Sequence, residues 1–315
     1  MSRELSSLGV TMRTAATPAV WGTTYLVATE LLPDGRPLLA ACVRALPVGL
    51  AFVFWSRRLP TGAWWWRSAL LGTLNIGAFF ALLFVAAFRL PGGVAATAGA
   101  IQPLVAAGIA AVVLGERFTR STALAGTVGV AGVAMLVLGP DAALDPMGVA
   151  AAIAGTLCMA TGVVLTKRWG RPVDLVTFTG WQLSAGGLLL VPLVVAFEGL
   201  PASITPANVA GFAWLAVVGT GVAYANWFAG IQRLPVSVVS FLGLLSPLVA
   251  TIAGWVLLDQ TLTRTQLAGA LLVLAAVIAP QVAARRRRPV VASAGPARSD
   301  GVARSTTAGA PVPTR

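Results

Sequence analysis

Residues 75–120 read NIGAFFALLFVAAFRLPGGVAATAGAIQPLVAAGIAAVVLGERFTR, and residues 219–264 read GTGVAYANWFAGIQRLPVSVVSFLGLLSPLVATIAGWVLLDQTLTR. Laid over one another at an offset of 144, without a gap, the two stretches agree at 16 of 46 positions. The matches include Phe84/Phe228, Arg89-Leu90-Pro91/Arg233-Leu234-Pro235, Gly99/Gly243, Pro103-Leu104-Val105-Ala106/Pro247-Leu248-Val249-Ala250 and Thr119-Arg120/Thr263-Arg264. Apolar bias raises chance agreement among Ala, Leu and Val. It does not bring arginines and prolines into register. The chain is a duplication.

Around the two copies the composition is that of a protein solvated by lipid. Of 315 residues, 57% are hydrophobic and 10% charged, where a soluble domain carries about a quarter charged residues. The apolar runs lack a polar face that water could wet, and charges punctuate them about every 20–30 residues, the length of one bilayer-crossing helix and its turn. Ten spans follow, at 15–32, 38–56, 68–88, 92–114, 122–139, 148–166, 174–197, 208–231, 236–258 and 265–283. Each copy holds five, an odd number, so the copies enter the bilayer with opposite polarity. The expected fold is all-α and integral to the membrane, with ten transmembrane helices in an inverted 5+5 repeat. Its expected parts are a cytoplasmic N-terminal tail (1–14), a first five-helix repeat (15–139), a second (148–283) and a disordered basic cytoplasmic tail (284–315). The first apolar run ends in Glu30 and Leu31-Leu32-Pro33 rather than at a small-residue cleavage site, so it reads as a retained helix.

Basic residues fix the orientation, because cytoplasmic loops of membrane proteins collect Lys and Arg. With the N-terminus inside, 18 of the 22 basic residues fall on the cytoplasmic side and only Arg36, Arg89 and Arg264 outside, while Arg44 lies within a span. A miscounted helix would scramble this bias over half the chain. Both termini are expected in the cytoplasm, and the membrane is expected to be a bacterial inner membrane. The net charge of +12 is thus a matter of topology, and no basic stripe or motif points to nucleic acid. There is no histidine, and Cys42 and Cys158 sit inside apolar runs as small hydrophobes. No metal or cofactor is expected. Acids are scattered singly, which leaves a membrane-embedded enzyme without paired catalytic groups.

Several motifs have a familiar arrangement. Pro103 followed by Leu114-Gly115-Glu116-Arg117-Phe118-Thr119, with Trp21-Gly22-Thr23-Thr24-Tyr25 in the first span and Arg44 in the second, resembles EamA-domain transporters of the drug/metabolite transporter superfamily. The stretches Thr29-Glu30-Leu31-Leu32-Pro33 and Arg44-Ala45-Leu46-Pro47 are similar to the branch of PecM-like pigment and metabolite exporters. The resemblance covers about residues 15–283. It implies a central cavity lined by spans one, three, four, six, eight and nine. It also implies export of amino acids, metabolites or drug-like compounds. A flippase of a lipid or lipid-linked substrate is the alternative reading of the same architecture. In the second copy Gln260 stands at the position of Glu116, and Gln182 is the apparent counterpart of Arg44, so the charged features are asymmetric.

Polar and aromatic residues at mid-depth are the candidates for a small-molecule cavity, because Asn and Gln in lipid must face partners and ring faces stack on planar ligands. They are Trp21, Thr24, Tyr25, Asn75, Phe79, Gln102, Thr161, Tyr224, Asn226, Trp227 and Ser246, each weighed against ordinary helix packing or an interfacial aromatic belt. Pro103 and Pro247 are expected to kink spans four and nine. A buried guanidinium costs about 2.5–3.5 kcal/mol even on the lenient insertion scale. Arg44 is therefore expected to pair with Glu30 or to bond to helix carbonyls, with snorkelling to the headgroups as the competing reading. Glu116, beside Arg117 and Arg120, reads as a local anchor of a cytoplasmic helix end. The small-residue run Gly126–Gly132 either joins the two halves or forms a homodimer face.

Overall fold

Trp21, Asn75, Tyr224 and Trp227 come from three different stretches of helix, and the arrangement of those helices is what brings them together. The computed structural model describes residues 2–33, 35–89, 99–137, 145–257 and 262–286, and every regular element among them is helical. The chain runs through α1 (Ser2–Gly22), α2 (Thr24–Leu31), α3 (Pro37–Ser56), α4 (Trp64–Gly72), a π-helical segment (Thr73–Gly77), α5 (Ala78–Arg89), α6 (Gln102–Leu114), α7 (Arg120–Val137) and α8 (Pro146–Trp169). It continues through α9 (Leu175–Phe197), α10 (Pro206–Ala213), a second π-helical segment (Trp214–Val222), α11 (Ala223–Arg233), α12 (Val236–Leu242), α13 (Leu245–Leu257) and α14 (Arg264–Arg286). Helix suits lipid, because it satisfies the backbone groups within the segment. Eight stretches among the described residues are long and apolar enough to cross a membrane, and the 13-residue α6 is a shorter apolar helix.

Helix starts are written locally. Pro37, Pro146 and Pro206 stand at first helical positions, where their missing N–H costs nothing. Asp145 accepts from Gly148 N at 2.7 Å, Asp174 from Thr177 N at 3.0 Å, and Thr205 with Asn208 closes a reciprocal capping box. The hydrogen bonds that Thr177 donates, backbone first and then hydroxyl, hold the Asp174 carboxyl below its ordinary value.

One expectation changes here. The first helix begins at Ser2, not near residue 15, because nothing from Ser2 to Thr17 breaks a helix except the tolerated Gly9. Pro103 and Pro247 each follow an irregular point of the helical path, where Ile101 and Gly243 keep right-handed helical backbone angles. The regular helix is interrupted ahead of them, at 100–101 and 243–244, and each proline sits in the first turn of the helix that follows. A first-turn residue has no intrahelical N–H bond to lose, so this placement relieves the clash that a mid-helix proline would cause. Of the basic tail expected at 284–315, only the end of α14 belongs to the described residues.

The broadest contacts join α3 to α9 and α7 to α14. Further contacts come in corresponding sets: α1 with α11 and α5 with α8; α1 with α13 and α6 with α8; and the first π segment with α9 beside the second with α3. The outside is apolar, with Phe54, Trp55, Val112 and Val195 turned outward, while Arg44, Asn75, Gln182 and Thr220 are buried. That distribution suits a molecule whose surroundings are lipid and makes the chain a multi-pass membrane protein. Among the wide-faced aromatics, Trp65 and Trp66 are exposed and Arg67 stacks over the rings of Trp64, Trp66 and Trp169, as suits an interfacial belt.

Candidate functional site

The seam between α1 and the stretch formed by the second π segment and α11 carries three cross-bonds. Arg13 Nε donates to Asn226 Oδ1 at 2.6 Å, Thr17 Oγ1 to the Ala223 carbonyl at 3.0 Å, and Trp21 Nε1 to the Gly219 carbonyl at 3.0 Å. As the α1 number rises the partner's number falls, so the segments run antiparallel. Asn226, expected in the cavity, is thereby engaged at an exposed position by Arg13. Trp21 is at the inner end of the seam, where its ring lies 5.1 Å from both Tyr224 and Trp227. Tyr224 and Trp227 are almost wholly buried, and Phe228 and Phe178 continue the aromatic wall, 5.7 Å from Tyr224 to Phe228 and 5.8 Å on to Phe178.

Arg44 projects from α3 into the second π segment. Nε donates to Thr220 Oγ1 at 2.9 Å, a terminal nitrogen donates to the Gly219 carbonyl at 3.0 Å, and the guanidinium lies 5.0 Å from the centre of the Phe80 ring. The carbonyl of Gly219 thus accepts from both Arg44 and Trp21. Of the two partners weighed for Arg44, the backbone carbonyl is the one found, while Glu30 stands exposed near the end of α2. π-helical turns inside longer helices recur at functional sites. Here the turn presents a carbonyl and a hydroxyl to a charge taken out of water.

Asn75 occupies the first π segment. Its Nδ2 donates to Gln182 Oε1 at 2.9 Å and to Thr166 Oγ1 at 3.2 Å, and its carbonyl accepts a long bond, 3.4 Å, from Tyr224 OH. Gln232 Nε2 in turn donates to the Thr166 carbonyl at 2.8 Å. The polar network therefore spans the first π segment, α8, α9 and α11. Several buried polar atoms have no protein partner, among them Trp227 Nε1, Gln182 Nε2, Asn75 Oδ1, Gln102 Nε2, Thr24 Oγ1 and Ser240 Oγ. Leaving a buried donor or acceptor unmet costs about 1–3 kcal/mol, so each such atom calls for water, a ligand or a second arrangement of the protein.

The other expected cavity residues are more peripheral. Phe79 is half-buried against Phe80, at 5.6 Å between rings, and Thr161 is half-buried on α8. Ser246 is half-buried, its carbonyl packed against Gly22, and Gln102 lies near Gly243. The side chain of Tyr25 lies outside the described residues. Sequence reasoning missed Thr220, Phe80, Phe178, Phe228 and Thr166. The offset of 144 would have found the Gly219–Thr220 position, because it lays Asn75 on Gly219.

Glu116 does not pair with its neighbours in sequence. Both of its carboxylate oxygens accept from Val236 N at 3.1 Å, at the start of α12, and Lys167 Nζ stands 3.8 Å away while also donating to the Leu234 carbonyl. Arg117 is exposed. Since α12 begins at Pro235-Val236 without a side-chain cap of its own, a carboxylate from a distant loop takes that place. At another helix start Glu198 does the same for α3, accepting from Leu38 N at 2.7 Å and Leu39 N at 2.8 Å. Gln260, the counterpart of Glu116, lies outside the described residues. Among the described residues no group of three or more His, Cys, Asp or Glu side chains gathers to hold a metal ion, and both cysteines are free thiols.

The chain is 44% identical over 266 residues to protein PecM of Dickeya dadantii, covering 84% of this chain and 89% of that protein. It is 27% identical to a probable amino-acid metabolite efflux pump of Salmonella typhimurium, covering 81% of this chain and 89% of the pump. It is likewise 27% identical to the inner membrane transporter YedA of Escherichia coli K12, covering 78% and 82%. A crystal structure of 19% sequence identity shares the fold at a TM-score of 0.76, covering 90% of this chain and 99% of that one. The model of the EamA-like transporter family matches residues 12–138 and again residues 146–279. This chain belongs to the EamA-like transporter family.

Proposed function

We propose that this protein is a secondary transporter that exports small metabolites, amino acids or drug-like compounds by alternating access of two five-helix halves of opposite polarity. The observation that carries the reading is a mirrored pair of contacts. Arg44 of α3 bonds to Gly219 in the second π segment, and Gln182 of α9 bonds to Asn75 in the first. Gln182 is the apparent counterpart of Arg44, at an offset of 138, and the offset of 144 lays Asn75 on Gly219. Each half therefore inserts a polar side chain into the irregular turn of the other. Matching interruptions at 100–101 and 243–244 and the corresponding sets of helix contacts support the same two-fold relation.

Two similar halves of opposite orientation can exchange conformations, and the exchange turns a shared central site from one face of the membrane to the other. The site is the cluster of Trp21, Asn75, Tyr224 and Trp227 at the junction of the halves. Ten spans with both termini cytoplasmic, in a bacterial inner membrane, accord with the distribution of arginines. The outward direction rests on the efflux named for the Salmonella relative.

The test is efflux from a bacterium stripped of its own exporters, loaded with labelled amino acids, aromatic metabolites and planar cationic dyes. Expression of the chain should speed the loss of at least one compound, and the Asn75→Ala/Trp227→Ala variant should abolish that gain at equal membrane abundance. Unchanged export by the variant would move the site elsewhere. No export of any compound by folded protein would overturn the reading.

A further inference from the structure

Arg44 carries a full charge into the apolar interior, and the groups that meet it are a hydroxyl, a carbonyl and a ring. The two ion pairs found among the described residues lie elsewhere, at Arg89–Asp145 and Lys167–Glu116. A guanidinium has five N–H donors in a planar fork that matches a carboxylate, and these bonds use only two of them. Trp227, stacked on Trp21, and Gln182, bonded to Asn75, each carry a buried donor without a protein acceptor, Nε1 and Nε2. Trp21 ties these groups together. It shares the Gly219 carbonyl with Arg44 and stacks on both Tyr224 and Trp227.

The site therefore joins three spare guanidinium donors and two unmet N–H groups to a set of stacked rings, with Asn75 Oδ1 as an unmet acceptor beside Gln182. Its one charge is positive. We propose that it binds a flat aromatic monocarboxylate, the carboxylate held by Arg44 with help from Trp227 Nε1, and the ring packed among Trp21, Tyr224 and Trp227. A cation would be repelled by Arg44, and a neutral amide would leave the guanidinium without a counter-charge. A dianion such as a phosphate monoester would bring a second charge for which the cluster holds no second cation. This inference rests on the transporter reading, for which it names the substrate class.

The experiment uses full-length protein in lipid nanodiscs and equilibrium dialysis with three probes of one shape: 2-naphthoate, 2-naphthamide and 2-naphthylmethylamine. The acid should bind at least tenfold more tightly than either of the others. Arg44→Gln should erase that preference and Arg44→Lys should keep part of it. Because loss of a buried Arg44 threatens folding, Trp227→Phe, which keeps an aromatic ring, though a smaller one, and removes the donor, provides a second arm. It should weaken the acid severalfold more than the amide. Equal or tighter binding of the amide or amine, or no binding of the acid to folded protein, would overturn the proposal. Export of other compounds in the cellular assay together with no preference for the acid would overturn this inference alone. Absence of any flux would overturn the transporter reading.

Discussion

Gly162 sets how closely Asn75 can approach α8. A Cβ at Gly162 would lie 2.2 Å from Asn75 Oδ1 and 2.7 Å from its Cγ, so an alanine there must push Asn75 away from Thr166 and Gln182. Gly162→Ala should destabilise the protein by about 1–3 kcal/mol, the usual cost of overpacking, and should slow transport at equal expression. Gly155, two turns earlier on the same helix, is the control. A Cβ there would meet Leu82 Cβ at 3.5 Å, an ordinary contact, so Gly155→Ala should raise stability through helix propensity by about 0.5–1 kcal/mol. Thermal unfolding in one detergent measures both, and equal effects at the two sites would refute the argument. Asn75 is conspicuous in the sequence, since an amide in lipid needs a partner. The sequence holds no sign that a glycine 87 residues later makes room for it.

At the scale of elements, α7 and α14 pack backbone to backbone. A Cβ on Gly132 would meet Val273 N at 2.9 Å and the Gly269 carbonyl at 3.0 Å, and a Cβ on Gly269 would meet the Gly132 carbonyl at 2.6 Å. Of the two roles open to the Gly126–Gly132 run, its Gly132 end joins α7 to the final helix of the same chain. Gly132→Ala and Gly269→Ala should each lower thermal stability. Their combination should cost about 0.5 kcal/mol or more less than the sum, because the first methyl already separates the helices. Additive losses would mean that the two glycines do not share one contact. The Glu116 and Glu198 caps belong to this scale as well. Each closes a helix start with a carboxylate from a distant segment, and a helix N-terminus favours such a charge.

For the whole molecule, the decisive prediction is orientation. Thr61 and Ser203 are exposed in opposite classes of connection, 57–63 and 198–205. In intact cells expressing a chain whose Cys42 and Cys158 are replaced by serine, a membrane-impermeant maleimide should label Ser203→Cys and leave Thr61→Cys unmodified until the cells are opened. The reverse pattern would invert the topology read from the arginines. The same labelling on single cysteines along α6 and α13 would follow how access changes when a substrate is added.

Taken alone, the sequence determined that lipid is the solvent, that the chain is helical and duplicated, and where most helices begin and end. Those properties are local or additive. Mean composition fixes the solvent, apolar run length fixes the helices, and prolines and arginines in register reveal the duplication. Only the tertiary structure decided which polar groups meet: Arg44 with Gly219 and Thr220, Asn75 with Gln182, Glu116 with the start of α12. It also decided where the helical path turns irregular ahead of Pro103 and Pro247, and that two helices carry π turns. The reason is rotational. One residue turns a helix by about 100°, and lipid puts an apolar environment on most sides, so the pattern hardly records which face looks inward. That choice is made by contact with helices more than a hundred residues away.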